Sequence, residues 1–220
     1  MRRSWCIQEM DAAYRACMYD VLDLYEEPYD PSRPVICLDE KPKQLLSEKK
    51  RPLPMRPGVP ERYDYEYVRK GTANIFLAVE FKAGMRLTQV TPRRAMTDFA
   101  LFLRMVVDRC PDADLVRVVM DNLSTHKEKA LIQAFGPGEA ERIMGRVEFH
   151  YTPNHGSWLN AAEIEIGVMS TECTDRRIGD LGTLSREVGA WTRRRNLHRD
   201  KIDWRFTREK ADKKLSKHYV

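Results

Sequence analysis

Residues 34–40 read PVICLDE: an apolar run of four, 35–38, that stops on Asp39. A short apolar run bounded by a turn (30–34) and a charge predicts a strand buried on both faces. The pattern returns at 115–121, LVRVVMD, which stops on Asp121. Aspartate is a turn former, so each one alone reads as strand-end punctuation. If the two strands run parallel and adjacent, both carboxylates emerge at the same sheet edge. There they repel and raise each other's pKa. A divalent cation relieves that repulsion, and hard oxygen ligands suit magnesium or manganese.

Working outward, 71–81 (GTANIFLAVEF) predicts a second strand, 82–84 a turn, and 85–91 a third strand closing a hairpin. Pro92 opens a helix to about residue 110, with Phe99, Phe102, Leu103, Val106 and Val107 on its inner face. Strand 115–121 comes next, then a turn at 122–125 and a short helix starting near His126. Residues 147–151 predict a fifth strand. A helix carrying two glutamates, Glu163 and Glu165, follows, and further helices are predicted at 181–195 and 207–216. Three strands and then alternating helices and strands predict an α/β fold, a mixed five-stranded sheet flanked by helices. That is the element order of the ribonuclease H-like fold. Residues 11–27 predict a helix outside the main core. With prolines at 42, 52, 54, 57 and 60, residues 41–67 predict an extended basic loop. The division expected is a helical arm at 1–34, a catalytic domain at 35–200 and a basic tail at 201–220.

Composition narrows the function classes. The chain has 220 residues, 42% hydrophobic and 32% charged, with no apolar run of the roughly 18–20 residues that span a bilayer. The start, MRRSWCIQEM, lacks the apolar stretch of a signal peptide, so a cytoplasmic protein with no membrane partner is expected. The five cysteines form no CxxC pair, which speaks for buried thiols over a zinc ribbon or disulfide framework. The net charge of +5 is concentrated at 41–70 (9 basic, 4 acidic) and 191–220 (11 basic, 4 acidic), including the run Arg193, Arg194, Arg195. Two basic segments around a more acidic centre suit a polyanion.

A third acid would complete a metal site. On a helix advancing about 100° per residue, Glu163 and Glu165 flank the apolar stripe Leu159, Ala162, Ile166, Met169 by similar angles. Helical geometry leaves the two tied.

Three blocks, VICLDEKP, VVMDNLSTHK and FHYTPNHGSWLNAAEIE, resemble in this order the catalytic blocks of DDE transposases, within the bacterial insertion-sequence branch of the mariner superfamily. The resemblance extends over RYDYEYVRKGTANIF, CTDRRI and DWRFTREKADKKL, and so covers essentially the whole chain. It implies a ribonuclease H-like catalytic domain holding two Mg²⁺ ions, with Mn²⁺ able to substitute. The implied activity is cutting and joining of DNA at the ends of an insertion sequence, by two-metal hydrolysis and strand transfer. It implies Asp39 and Asp121 as the first two metal-binding catalytic acids. Through Leu159-Asn160-Ala161-Ala162-Glu163, a Leu-Asn-x-x-Glu pattern, it chooses Glu163 as the third. Partners implied are double-stranded DNA, as element end and as target, and a second copy forming a homodimer on DNA in the nucleoid.

Lys41, Lys43, His126, His155, Asn160, Arg193 and Arg194 are the expected DNA contacts. Ser157 is expected to cap the helix of Glu163 and Trp158 to pack in the core. Glu40 points away from Asp39 on its strand. The interval from Asp121 to Glu163 exceeds that of the animal mariner elements, with the excess expected around 135–141. Relatives carry an N-terminal helix-turn-helix, whereas only about 34 residues precede the first strand here. The catalytic part alone is therefore expected, with an upstream helix-turn-helix frame as partner. The alternative is a non-catalytic remnant that binds DNA or a partner transposase and inhibits it.

Overall fold

The first strand is far longer than its apolar start, and that length organises the sheet. In the computed structural model, which describes residues 9–121 and 127–220, β1 runs Val35–Glu48 and pairs antiparallel with β2, Tyr67–Glu80. The loop expected at 41–67 is thus confined to 49–66, where isolated bridges join Leu53 to Arg62 and Arg56 to Val59. Pro42 did not break the strand because the parallel ladder to β4 (Val116–Asp121) ends at Cys37. Beyond that point one side of β1 is an edge, where a proline lacking its N–H is tolerated. The register shifts between Leu45 and Leu46, opposite Gly71, whose φ of 112° suits a residue without a Cβ.

β3 (Met85–Thr91) pairs antiparallel with β2, and β5 (Val147–Thr152) pairs parallel with β4. The sheet order is β3-β2-β1-β4-β5, the mixed five-stranded sheet expected. VICL is apolar throughout because both faces are covered. Cys37 belongs to one core with α1 (Ala12–Glu26), α5 (Ala161–Met169) and α6 (Leu181–His198). Ile36 and Leu38 belong to the other core, with α2 (Met96–Asp108), α3 (Lys127–Phe135) and α4 (Pro137–Met144). α4 occupies the place where extra sequence was expected.

The helix α1 corrects one expectation. It is no appended arm: Met18, Val21 and Leu22 are fully buried against the sheet. Asp11 caps it, accepting from the Tyr14 backbone N–H at 2.7 Å. Ala211 of the last helix, α7 (Arg208–Leu215), joins the same core. Among the described residues no helix is long and apolar enough to cross a membrane.

Candidate active site

Parallel pairing sets the first two acids side by side. Cys37 is level with Val119, and the same register carried two residues further sets Asp39 level with Asp121. Asp121 is the last residue of β4, opposite Thr152 on β5, whose hydroxyl donates to Asp121 Oδ1 at 2.6 Å. Asp39 Oδ1 accepts from the Glu40 backbone N–H at 2.8 Å. Burial pushes the Asp39 carboxyl up to about 7, the Glu40 N–H opposes the rise, and the charges of Glu163, Asp121 and Glu40 add to it.

The third acid arrives on a helix fastened to β1. After a 3₁₀ turn at Ser157–Leu159, Asn160 caps α5, its Oδ1 accepting from the Ala162 N–H at 3.1 Å. Its Nδ2 donates to the carbonyl of Leu38 at 2.9 Å. The Tyr25 hydroxyl donates to the Leu159 carbonyl at 3.1 Å and accepts from the Ala161 N–H at 3.2 Å. Ala161 and Ala162, both fully buried, allow the close approach. Two expectations change here. Ser157 does not cap α5, because the intervening 3₁₀ turn hands that task to Asn160. Asn160 itself is 0% exposed and spent on the protein backbone, so it is no DNA contact.

Burial sets the two glutamates apart. Glu163 is exposed in the first turn of α5. Glu165 is 0% exposed and held by two arginines. Arg86 reaches it with Nε and Nη2, both at 2.9 Å, and Arg195 with Nε at 3.0 Å and Nη2 at 3.4 Å. The helical wheel missed this because one flank of its apolar stripe meets a buried guanidinium. Arg86, from β3, carried no signal in the sequence; Arg195 was visible only as part of a basic run.

The remaining candidates scatter. The Lys41 ammonium turns to the Ser170 hydroxyl, and that of Lys43 to the carbonyls of Thr174 and, at 2.9 Å, Arg176. Both lysines therefore tie β1 to the π-helical turn Ser170–Thr174 after α5, and burial lowers the Lys43 pKa. His155 is exposed on the loop before the 3₁₀ turn, in the left-handed region at φ 60°. Arg193 and Arg194 are exposed on α6, Arg194 meeting Glu172 at 3.0 Å. Trp158, expected in the core, is 43% exposed, packing edge-on against Phe206 at 5.4 Å. His126 lies outside the described residues.

Among the described residues no three Asp, Glu, His or Cys side chains close into a ready ligating group. The donor chemistry nevertheless fits a hard divalent ion. Asp39 is half-buried and feels the charges of Glu163, Asp121 and Glu40, a repulsion that a cation relieves.

Comparison with known proteins bears on the family and the fold. The family described as DDE superfamily endonuclease matches residues 34–185. The chain is similar in structure to the Mos1 transposase paired-end complex with left transposon end, with a TM-score of 0.52 and 13% identity over 88% of this chain and 58% of that one. It is also similar to the Mos1 mariner paired end complex with Mn, with a TM-score of 0.51 and 14% identity over 91% of this chain and 63% of that one. The chain thus spans about three fifths of the solved chains it matches. At such identity the likeness establishes the fold, a ribonuclease H-like one. No curated protein sequence matches the chain.

Proposed function

Because the chain belongs to the DDE superfamily of endonucleases, we propose that it is the catalytic domain of a transposase. Its substrate is DNA at the ends of an insertion sequence, which it cuts and then joins to target DNA. The observation that carries this reading is the placing of three acids: Asp39 and Asp121 at the ends of the parallel neighbours β1 and β4, and Glu163 in the first turn of α5, which Asn160 fastens to β1. The Asp39 carboxyl is raised to about 7, chiefly by desolvation and further by the charges of Glu163, Asp121 and Glu40. A structural ion pair would lower a carboxyl's pKa, whereas convergent uncompensated carboxylates await a cation.

Asp39, Asp121 and Glu163 would hold two Mg²⁺ ions, or Mn²⁺ in their place. When bound, such a pair activates an attacking oxygen and stabilises the leaving one in an in-line displacement at phosphorus. The protein's own part is to present the ligands. Thr152 turns Asp121 through its hydroxyl, fixing which carboxylate oxygen stays open. Asn160 and Tyr25 set the start of α5, and with it the height of Glu163 above the sheet edge. Burial favours the protonated form of Asp39, and the carboxyl must release that proton to act as a ligand. Water serves as nucleophile in the cut and a DNA 3′-hydroxyl in the joining, so no serine or tyrosine nucleophile is needed. Two ends must be processed together, which calls for a homodimer on DNA, in the nucleoid. End recognition falls to a helix-turn-helix partner.

The test is nicking of a duplex carrying the element's ends, with Mg²⁺ or Mn²⁺. Cleavage is expected for the native chain and none for Asp121→Asn. A mutant that nicks as well as the native protein would overturn the assignment.

A further inference from the structure

On the α5 side of the acid edge the lysines are already engaged by the protein: Lys41 by Ser170, Lys43 by the carbonyls of Thr174 and Arg176. The opposite side of the sheet differs. Even-numbered residues of β1 face α2 there, and Glu40 follows Ile36 and Leu38 onto that face. Its side chain is only 17% exposed and meets Arg94, Nε to Oε1 at 2.7 Å. Glu40 lies at the acid edge, next to Asp39 on β1.

Arg94 uses Nε on Glu40, and its side chain remains 55% exposed. A guanidinium has five N–H donors in a planar fork, so its Nη edge is suited to a second anion. Arg93, beside it, is exposed. Both precede Met96, the first residue of α2, where the helix dipole already presents its positive end. Cations are disfavoured at that position, and Glu40 and the first-turn carboxylate of Asp98 offset them.

We infer that Arg94, steered by Glu40 and supported by Arg93, seats one backbone phosphate of the DNA strand entering the acid edge from the α2 side. This rests on the DNA reading above and assigns the contact to a residue outside the three acids and outside the basic runs. Arg94 is here a binding residue, and Glu40 positions it.

The test separates binding from cutting. A fluorescent DNA duplex is titrated by anisotropy in Ca²⁺ at a series of salt concentrations, with no cleavage required. Each phosphate contact contributes a slope of about 0.9 in log affinity against log salt. Arg94→Ala should bind roughly 3–10-fold more weakly and lose about 0.9 of slope, and the double variant with Arg93→Ala should weaken binding further without losing a second phosphate's slope. Arg94→Lys should restore the slope and only part of the affinity, having the charge without the fork. Arg109→Ala, the same charge change at the far end of α2, should leave the slope alone. A native slope in Arg94→Ala, or no DNA binding by the native chain, overturns the inference. If binding follows this pattern but Mn²⁺ never elicits nicking, the cutting reading falls and the phosphate seat stands.

Discussion

The side-chain amide of Asn160 donates to the carbonyl of Leu38, the residue immediately before Asp39, at 2.9 Å. One hydrogen bond thus joins the strand of the first acid to the helix of the third. Asn160→Ala removes it, uncaps α5 and leaves a buried carbonyl unpaired. The expected cost is about 1–3 kcal/mol, read as a shift of the urea midpoint. Nicking should fall more steeply than stability alone explains, because Glu163 loses its fixed distance from Asp39.

The two glutamates of α5 should separate cleanly. Glu163→Gln is expected to abolish nicking with a urea midpoint close to native, since the residue is exposed. Glu165→Gln leaves Arg86, fully buried, without its counter-charge. The expected loss is about 3–5 kcal/mol. Equal midpoints for the two variants would contradict the clamp described above.

How far the site could be read from sequence divides along the same line. Acid-terminated apolar runs marked Asp39 and Asp121 as the ends of covered strands; that they share an edge depended on the two strands being parallel neighbours, which the pairing of β1 with β4 supplies. Strand 85–91 and the helix inner face Phe99, Phe102, Leu103 were legible for similar reasons of periodicity. What sequence conceals is the partner of a charge. Lys41 and Lys43 looked like DNA contacts, and Glu165 looked equal to Glu163, because the groups that capture them lie about 130 or 80 residues away along the chain. Prolines likewise hid the outer half of β1, since their tolerance depended on where β4 stopped pairing.

Asp39 carries a stability penalty of its own. Its carboxyl is raised from 3.8 to about 7, so the folded chain binds that proton more tightly than the unfolded chain does. The penalty is absent below pH 3.8, grows as pH rises and is complete above about 7. At pH 8 without divalent ions, Asp39→Asn should therefore be more stable than the native chain, by on the order of 1–2 kcal/mol after allowing for partial exposure. Adding Mn²⁺ should raise the melting temperature of the native chain and leave the mutant's unchanged.

Alkaline pH should unfold the protein from the α1 side. Burial pushes the Cys37 thiol from 9.0 up to about 12, and the Tyr25 hydroxyl, 3.0 Å from its sulfur, is also raised well above its ordinary value. Both protons are held more tightly in the folded state. Stability is therefore full below pH 9 and falls as pH rises from 9 towards 12, by up to about 1.4 kcal/mol per pH unit for one group. Cys37→Ala should flatten the first part of that decline, measured by urea unfolding at successive pH values. A native-like slope in the variant would place the titrating group elsewhere.

The early end of the β1–β4 ladder has a mechanical meaning. Pairing stops at Cys37 and Val119, while β4 stays zipped to β5 as far as Asp121 and Thr152. Asp39 and Asp121 thus stand on the two prongs of a fork, one braced by β2 and the other by β5. The gap between the prongs is set by where β1 and β4 cease to pair, so the spacing of the acids is a property of the sheet and not of any loop. A loop can be remodelled by a single substitution; a fork anchored in four strands resists it.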